Sequence, residues 1–130
     1  MTDEPGDDRP RVLVVDDEAP LRELLVVTLG DRFRCEEVSD GETALDRLHE
    51  SPPDLVFLDV MLPGLGGIDV LREIRADPAL RDVGVVVVSA WQAQENIDDA
   101  LENGADSFLP KPFRVEDVVS IAEELVGRHR

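Results

Sequence analysis

From Arg11 onward the chain alternates between short unbroken apolar runs and longer stretches in which apolar residues recur every three or four positions. Val12 to Val15 is such a run, the pattern of a strand buried on both faces. Leu21, Leu24, Leu25 and Leu29 then recur at helical spacing, and Pro20 suits a first helical turn, where its missing N–H costs nothing. Phe33 to Val38 is more polar and predicts a strand at a sheet edge. Ser39 and Glu42 form a capping-box pattern ahead of Ala44, Leu45 and Leu48, which predicts a second helix. Pro52 and Pro53 break the chain before the strand Leu55 to Leu58. A glycine-rich loop leads to a helix with Ile68, Leu71 and Ile74 on one face, and Val83 to Val88 is the most apolar strand. Ile97, Ala100 and Leu101 mark a fourth helix, with Gly104 at its C-terminal cap. Phe108 and Leu109 lie in a short fifth strand, and Val115, Val118, Val119, Ala122 and Val126 stripe the last helix.

Five strand–helix units joined by short loops predict a parallel sheet with helices on both faces, because right-handed crossovers put them there. The expected fold is α/β, a flavodoxin-like (βα)5 doubly wound sheet of strand order 2-1-3-4-5. In such sheets ligands bind beyond the carboxyl ends of the strands, at the switch point between strands 1 and 3. The length of 130 residues fits one domain, expected over residues 11–128, with residues 1–10 a flexible acidic tail.

Composition narrows the function. The longest apolar run, Val83 to Trp91, falls well short of the roughly 18 residues that cross a bilayer. Met1 to Pro10 carries no apolar segment of the kind a secretory signal needs, so the expected location is the cytoplasm. Cys35 is the only cysteine, which excludes an internal disulfide and a cysteine-based metal site. A net charge of −17 repels polyphosphate backbones and anionic lipid, so neither nucleic acid nor membrane is an expected direct partner. Solubility accounts for acids on helix surfaces. It does not account for carboxylates at strand ends.

The first strand runs into Asp16 and Asp17, the third ends in Asp59, the fourth in Ser89, and Lys111 follows the fifth. Three carboxylates, a hydroxyl and an ammonium are thereby expected on one rim. Clustered carboxylates repel one another, and a hard divalent cation with few protein ligands relieves that cost, which suits Mg²⁺. Lys111 adds a compact positive charge, Ser89 can donate to a phosphoryl oxygen, and a carboxylate can attack phosphorus to form an acyl phosphate.

Four stretches resemble the receiver domain of two-component response regulators: Val14-Val15-Asp16-Asp17-Glu18, Leu58-Asp59-Val60-Met61-Leu62-Pro63-Gly64, Val88-Ser89-Ala90, and Gly104-Ala105-Asp106 through Leu109-Pro110-Lys111-Pro112-Phe113. They occur in that family's order and spacing, across roughly Arg11 to Val126. The resemblance implies that Asp59 is the phosphoacceptor. Asp17, Asp59 and the backbone carbonyl of Met61 would ligate Mg²⁺, with Asp16 acting through an intervening water. Ser89 and Lys111 would bind the incoming phosphoryl group, assisted by the N–H groups of Met61 and Ala90. Ser89 and Phe108 would form the switch that remodels the surface of helix 4, strand 5 and helix 5, and the Lys111–Pro112 peptide would be cis. The implied partners are a sensor histidine kinase or phosphotransfer protein upstream, and a protein effector or fused output domain downstream. A homodimer through helices 4 and 5 stays open, as does the choice between a stand-alone regulator and a piece of a larger one. Such a domain is not an enzyme in the usual sense, because it acts only on itself.

Other readings compete. A magnesium-dependent phosphohydrolase needs a second acid two residues after its nucleophile, where this chain has Met61. A flavin carrier on the same fold needs a glycine- or hydroxyl-rich loop after strand 1, where this chain has Asp17-Glu18-Ala19-Pro20. A phosphorylation-independent docking module remains the main alternative. Cys35 is expected to pack as a small hydrophobe, and neither His49 nor His129 sits near the motifs. Gly66 stands where many receivers carry Asp, which removes a side-chain cap from helix 3. Phe108 replaces the more usual tyrosine, and Met61 and Trp91 flank the expected path of the water that hydrolyses the phosphoaspartate. Neither side chain orients a water well, which predicts slow dephosphorylation.

Overall fold

The computed structural model describes residues 8–90 and 94–129. Residues 1–7 of the expected 1–10 tail and the expected role of Trp91 lie outside the described residues. The elements run β1 (Arg11–Val15), α1 (Ala19–Leu29), β2 (Arg34–Val38), α2 (Gly41–Glu50), β3 (Leu55–Asp59), α3 (Gly67–Ala76), a short 3-10 turn (Pro78–Leu80), β4 (Gly84–Ser89), α4 (Gln94–Glu102), β5 (Ser107–Pro110) and α5 (Val115–His129). The strands form one parallel sheet in the order β2-β1-β3-β4-β5, as the sequence predicts. Strands β3 and β4 are buried along their whole length, because helices cover both faces.

Alternation along each strand sorts the core into two layers. Leu13, Val15, Val56, Leu58, Val85 and Val87 meet Ala44 and Leu48 of α2, Val70, Leu71 and Ile74 of α3 and Ala100 of α4. Val12, Val14, Phe57, Val86 and Val88 meet Leu25 and Leu29 of α1 and Val118, Ala122 and Leu125 of α5. Three expected stripe residues are instead surface-exposed: Leu24 at 41%, Leu101 at 46% and Val115 at 44%.

The cap of α2 is Asp40, not Ser39. Its carboxylate accepts the Thr43 N–H at 3.0 Å on one oxygen and the Thr43 hydroxyl at 2.7 Å on the other. Those bonds hold the Asp40 carboxyl below its ordinary pKa. Gly66 precedes α3 without a side-chain cap, as expected. Gly104 adopts a φ of 103° after α4, and the N–H groups of Gly104 and Ala105 return to the carbonyls of Leu101 and Ala100, a Schellman closure. Arg75 then ties α3 to that turn: it donates to the carbonyls of Gly104 at 2.9 Å and Val83 at 2.8 Å, and pairs with Asp106 at 2.9 Å.

Candidate functional site

The strand register aligns the carboxyl ends of the central strands. Val15 pairs with Leu58, so Asp16 and Asp59 follow side by side at the β1–β3 switch point. Asp59 pairs with Val88, and Ser89 with Pro110, which brings Lys111 onto the same rim. Among the described residues the buried polar or charged side chains are Asp16, Asp59 and Ser89, and all three lie here. Burying carboxylates costs free energy unless they are paired and hydrogen-bonded, so their coincidence needs a reason.

The pairing is extensive. Lys111 Nζ lies 3.1 Å from Asp16 Oδ2, 3.1 Å from Asp59 Oδ2 and 3.3 Å from Glu18 Oε1. Asp59 Oδ1 accepts the Met61 N–H at 2.9 Å, and Asp16 Oδ1 accepts the Glu18 N–H at 2.9 Å. The Met61 N–H, expected to assist a phosphoryl group, is thus engaged by Asp59 itself. Ser89 is fully buried, and its carbonyl accepts the Lys111 N–H at 2.8 Å. The Lys111–Pro112 peptide is cis, as expected. Phe108 packs partly buried against the layer formed with α2, α3 and α4.

One lysine does not balance this pocket. Burial pushes the Asp59 carboxyl above its ordinary pKa, the Met61 N–H pulls it back, the charge of Asp16 pushes it further up, and Lys111 opposes. For Lys111 burial disfavours the charge, but the hydrogen bond to Asp16 and the charge of Asp59 outweigh burial and raise its pKa. The two directions agree: a single ammonium gains from several carboxylates, while each carboxylate receives only a share of it.

Carboxylate oxygens of Asp16, Asp17, Glu18 and Asp59 all lie within 4.8 Å of one another. This all-oxygen, strongly anionic donor set fits a hard divalent cation such as Mg²⁺.

The structure adds residues that the sequence pattern did not single out. Glu18 is a third partner of Lys111. Arg22 donates to the carbonyl of Asp16 at 2.7 Å and to Glu37 Oε1 at 3.2 Å, clasping the β1–α1 turn from behind. The signal was present: Arg22 stands one helical turn after Glu18, so it faces back toward the strand end. Gly67 presses on Asp59 so closely that a Cβ would sit 2.2 Å from the Asp59 carbonyl oxygen. Phosphohydrolase and flavin-carrier readings gain no further support from these positions.

Comparison with known proteins agrees with the geometry. The profile of the response regulator receiver domain matches residues 12–123. The chain is similar to the DNA-binding response regulator MtrA of Mycobacterium tuberculosis, at 43% identity over 86% of this chain and 48% of MtrA. It is also similar to the phosphate regulon transcriptional regulatory protein PhoB of Escherichia coli, at 37% identity over 91% of this chain and 52% of PhoB. The chain therefore spans about half the length of these curated relatives. Among solved structures, the receiver domain of the Francisella response regulator 1452 superposes with a TM-score of 0.88 at 27% identity, over 94% of this chain and 100% of that one. No described helix is long and apolar enough to cross a membrane.

Proposed function

The chain belongs to the response regulator receiver domain family, and from that premise we propose that it is a phosphorylation switch whose acceptor is Asp59. The observation that carries this reading is the concentration of the buried polar side chains Asp16, Asp59 and Ser89 at the switch point, beside Lys111. Packing alone favours apolar residues there.

Asp16, Asp17, Asp59 and the Met61 carbonyl are the groups that would hold Mg²⁺, which when bound supplies positive charge to phosphoryl oxygens. The rest falls to the chain. A carboxylate oxygen of Asp59 forms a bond to phosphorus as the donor's bond to phosphorus breaks, and the bonding pair leaves with the donor atom. In a phosphohistidine donor that atom is an imidazole nitrogen; in a small phosphodonor it is an oxygen. Lys111 turns from the Asp59 carboxylate to a transferred oxygen, and Ser89 donates to another. The resulting change at Ser89 and Phe108 alters the surface of α4, β5 and α5, where an effector binds. The partners of this reading are a histidine kinase or phosphotransfer protein and a downstream effector or output domain. Its setting is the cytoplasm.

One observation favours a second reading. Lys111 already bridges Asp16 and Asp59, so the pocket holds together without phosphorylation, as a phosphorylation-independent docking module requires. Mass spectrometry after incubation with a small phosphodonor separates the two. The switch predicts a gain of one phosphoryl group that needs Mg²⁺ and disappears in Asp59→Ala. No gain under these conditions defeats it and leaves the docking module.

A further inference from the structure

We propose, on the reading of Asp59 as acceptor, that Glu18 is a positioning residue for the transfer: its carboxylate holds the Lys111 ammonium at the mouth of the pocket, so that Lys111 can let go of Asp59. Glu18 is the N-cap of α1, a place where short polar side chains accept an N–H of the first turn. Its carboxylate makes no such bond and reaches Lys111 Nζ at 3.3 Å instead. The backbone fixes where that side chain starts. Asp16 Oδ1 accepts the Glu18 N–H at 2.9 Å, and the Glu18 carbonyl accepts the N–H groups of Leu21 and Arg22, each at 3.1 Å. Glu18 and Lys111 also share the wall of a cavity of about 370 Å³ between α1 and the turn after β5. The rest of that wall is apolar, with Leu21, Leu24, Pro112 and Phe113 among its residues, so Glu18 is the acid that the cavity offers the ammonium.

An ammonium carries three donors. Asp16, Asp59 and Glu18 each offer Lys111 a carboxylate oxygen, the first two from buried side chains and Glu18 from one that is 59% exposed. When Lys111 moves from Asp59 to a transferred oxygen, it keeps Asp16 and Glu18 as counter-charges in transit. Glu18→Gln removes one of them, so the ammonium leans further onto Asp59 and its release costs more. An exposed ion pair adds little to stability, and the expected effect on transfer is correspondingly modest, about threefold to fivefold. As a bare charge, Glu18 would act in the other direction. A carboxylate at the mouth repels an anionic donor, and its removal would speed the transfer. The two roles therefore differ in sign.

Two variants separate contact from charge. Glu18→Gln keeps the reach and removes the charge, whereas Glu18→Asp keeps the charge at the start of α1 and is one methylene short. Both keep the backbone bonds of Glu18, and unchanged amide positions at Val14 and Val87 verify the fold. Lys111 is the chain's only lysine, so lysine labelled with ¹⁵N at Nζ gives a single ammonium signal. In Mg²⁺-free, unphosphorylated protein, exchange of the ammonium protons with water is expected to rise at least about threefold in both variants. At saturating Mg²⁺ and constant ionic strength, mass spectrometry with a small phosphodonor is expected to show phosphorylation slowed about threefold to fivefold in both. Ammonium exchange at the wild-type rate in both variants overturns the proposal. So does a phosphorylation rate that is unchanged, or faster in Glu18→Gln and equal to wild type in Glu18→Asp, which would make Glu18 a bare charge. A wild-type chain that gains no phosphoryl group defeats the switch itself and this role with it, a failure distinct from the loss of the Glu18 effect alone.

Discussion

Gly67→Ala is expected to damage stability and phosphorylation together, although alanine is the better helix former. Gly67 is the first residue of α3, and its N–H donates to the Val60 carbonyl at 3.1 Å. A Cβ there would stand 2.2 Å from the Asp59 carbonyl oxygen, 2.7 Å from the Val60 Cα and 2.9 Å from the Asp59 carbonyl carbon. These are backbone atoms at the end of a fully buried strand, so no flexible side chain can yield. To reach even the 3.0 Å limit of real Cβ contacts, β3 and α3 must part by about 0.8 Å. Overpacking of that kind costs about 1–3 kcal/mol. The propensity gain of alanine over glycine, at most about 1 kcal/mol in a helix interior, is smaller still at a first turn. The steric cost wins.

Gly127 supplies the internal control. It lies in α5, and a Cβ there meets nothing within 4 Å. Gly127→Ala should therefore stabilise by about 0.5 kcal/mol. The same substitution is expected to act with opposite sign at two helical glycines. Urea unfolding with unchanged m-values measures both. The Gly67 variant should also lose phosphorylation rate, up to about a hundredfold, because the displaced atoms belong to Asp59 itself. A Gly67→Ala protein as stable as wild type, with an unchanged m-value, would refute the reasoning.

Four further outcomes are expected. Asp59→Asn should be at least as stable as wild type near neutral pH: a raised folded pKa contributes stability below the ordinary 3.8 that is lost as pH rises through the raised value, so the advantage of the variant should shrink in acid; thermal melts across that window decide it, and a neutral-pH loss counts against it. Arg22→Ala should weaken Mg²⁺ binding about tenfold at little change in melting temperature, with Arg22→Lys restoring part, because Arg22 holds the Asp16 carbonyl. Met61→Asn should speed phosphate release from the loaded protein, since Met61 is 58% exposed beside Asp59 and cannot orient a water; an unchanged rate removes the methionine from the account. The Cys35 thiol, pushed up to about 11 by burial, should react with a disulfide reagent at a rate that climbs beyond pH 9.0 rather than levelling there. Stability linked to that thiol is present below 9.0 and is lost as pH rises toward about 11.

What could be read from the sequence was set by local physics. Val12–Val15 and Val83–Val88 announce themselves because strands buried on both faces read as near-continuous apolar runs, with polar residues confined to their ends. Asp16, Asp59, Ser89 and Lys111 follow, since a parallel sheet delivers every strand's carboxyl end to one rim. The misses depend on distances between elements. Ser39 and Asp40 both suit a cap, and only the approach of the Thr43 hydroxyl selects Asp40. Leu24 and Leu101 satisfy helical spacing, but the arc that a neighbouring helix or strand covers decides which positions are buried. Gly67 is set apart by what stands opposite it, the backbone of Asp59 and Val60, which no local pattern encodes.

The acidic pocket is legible in the end as an unequal distribution of charge. Lys111 is the chain's only lysine, and Asp16, Glu18 and Asp59 all draw on it. Asp16 is also held by the Glu18 N–H and, through its carbonyl, by Arg22, so its place is over-determined. Asp59 has the Met61 N–H and a share of the ammonium, against burial and the charge of Asp16. The carboxylate with the weakest compensation is therefore the one the proposed chemistry consumes. A group kept at raised free energy in the resting fold loses less when its charge moves to new partners, so the strain on Asp59 and its proposed role as acceptor follow from the same arrangement. Replacing Glu18 by Gln would hand Asp59 a larger share of Lys111, lowering that cost and the driving force with it.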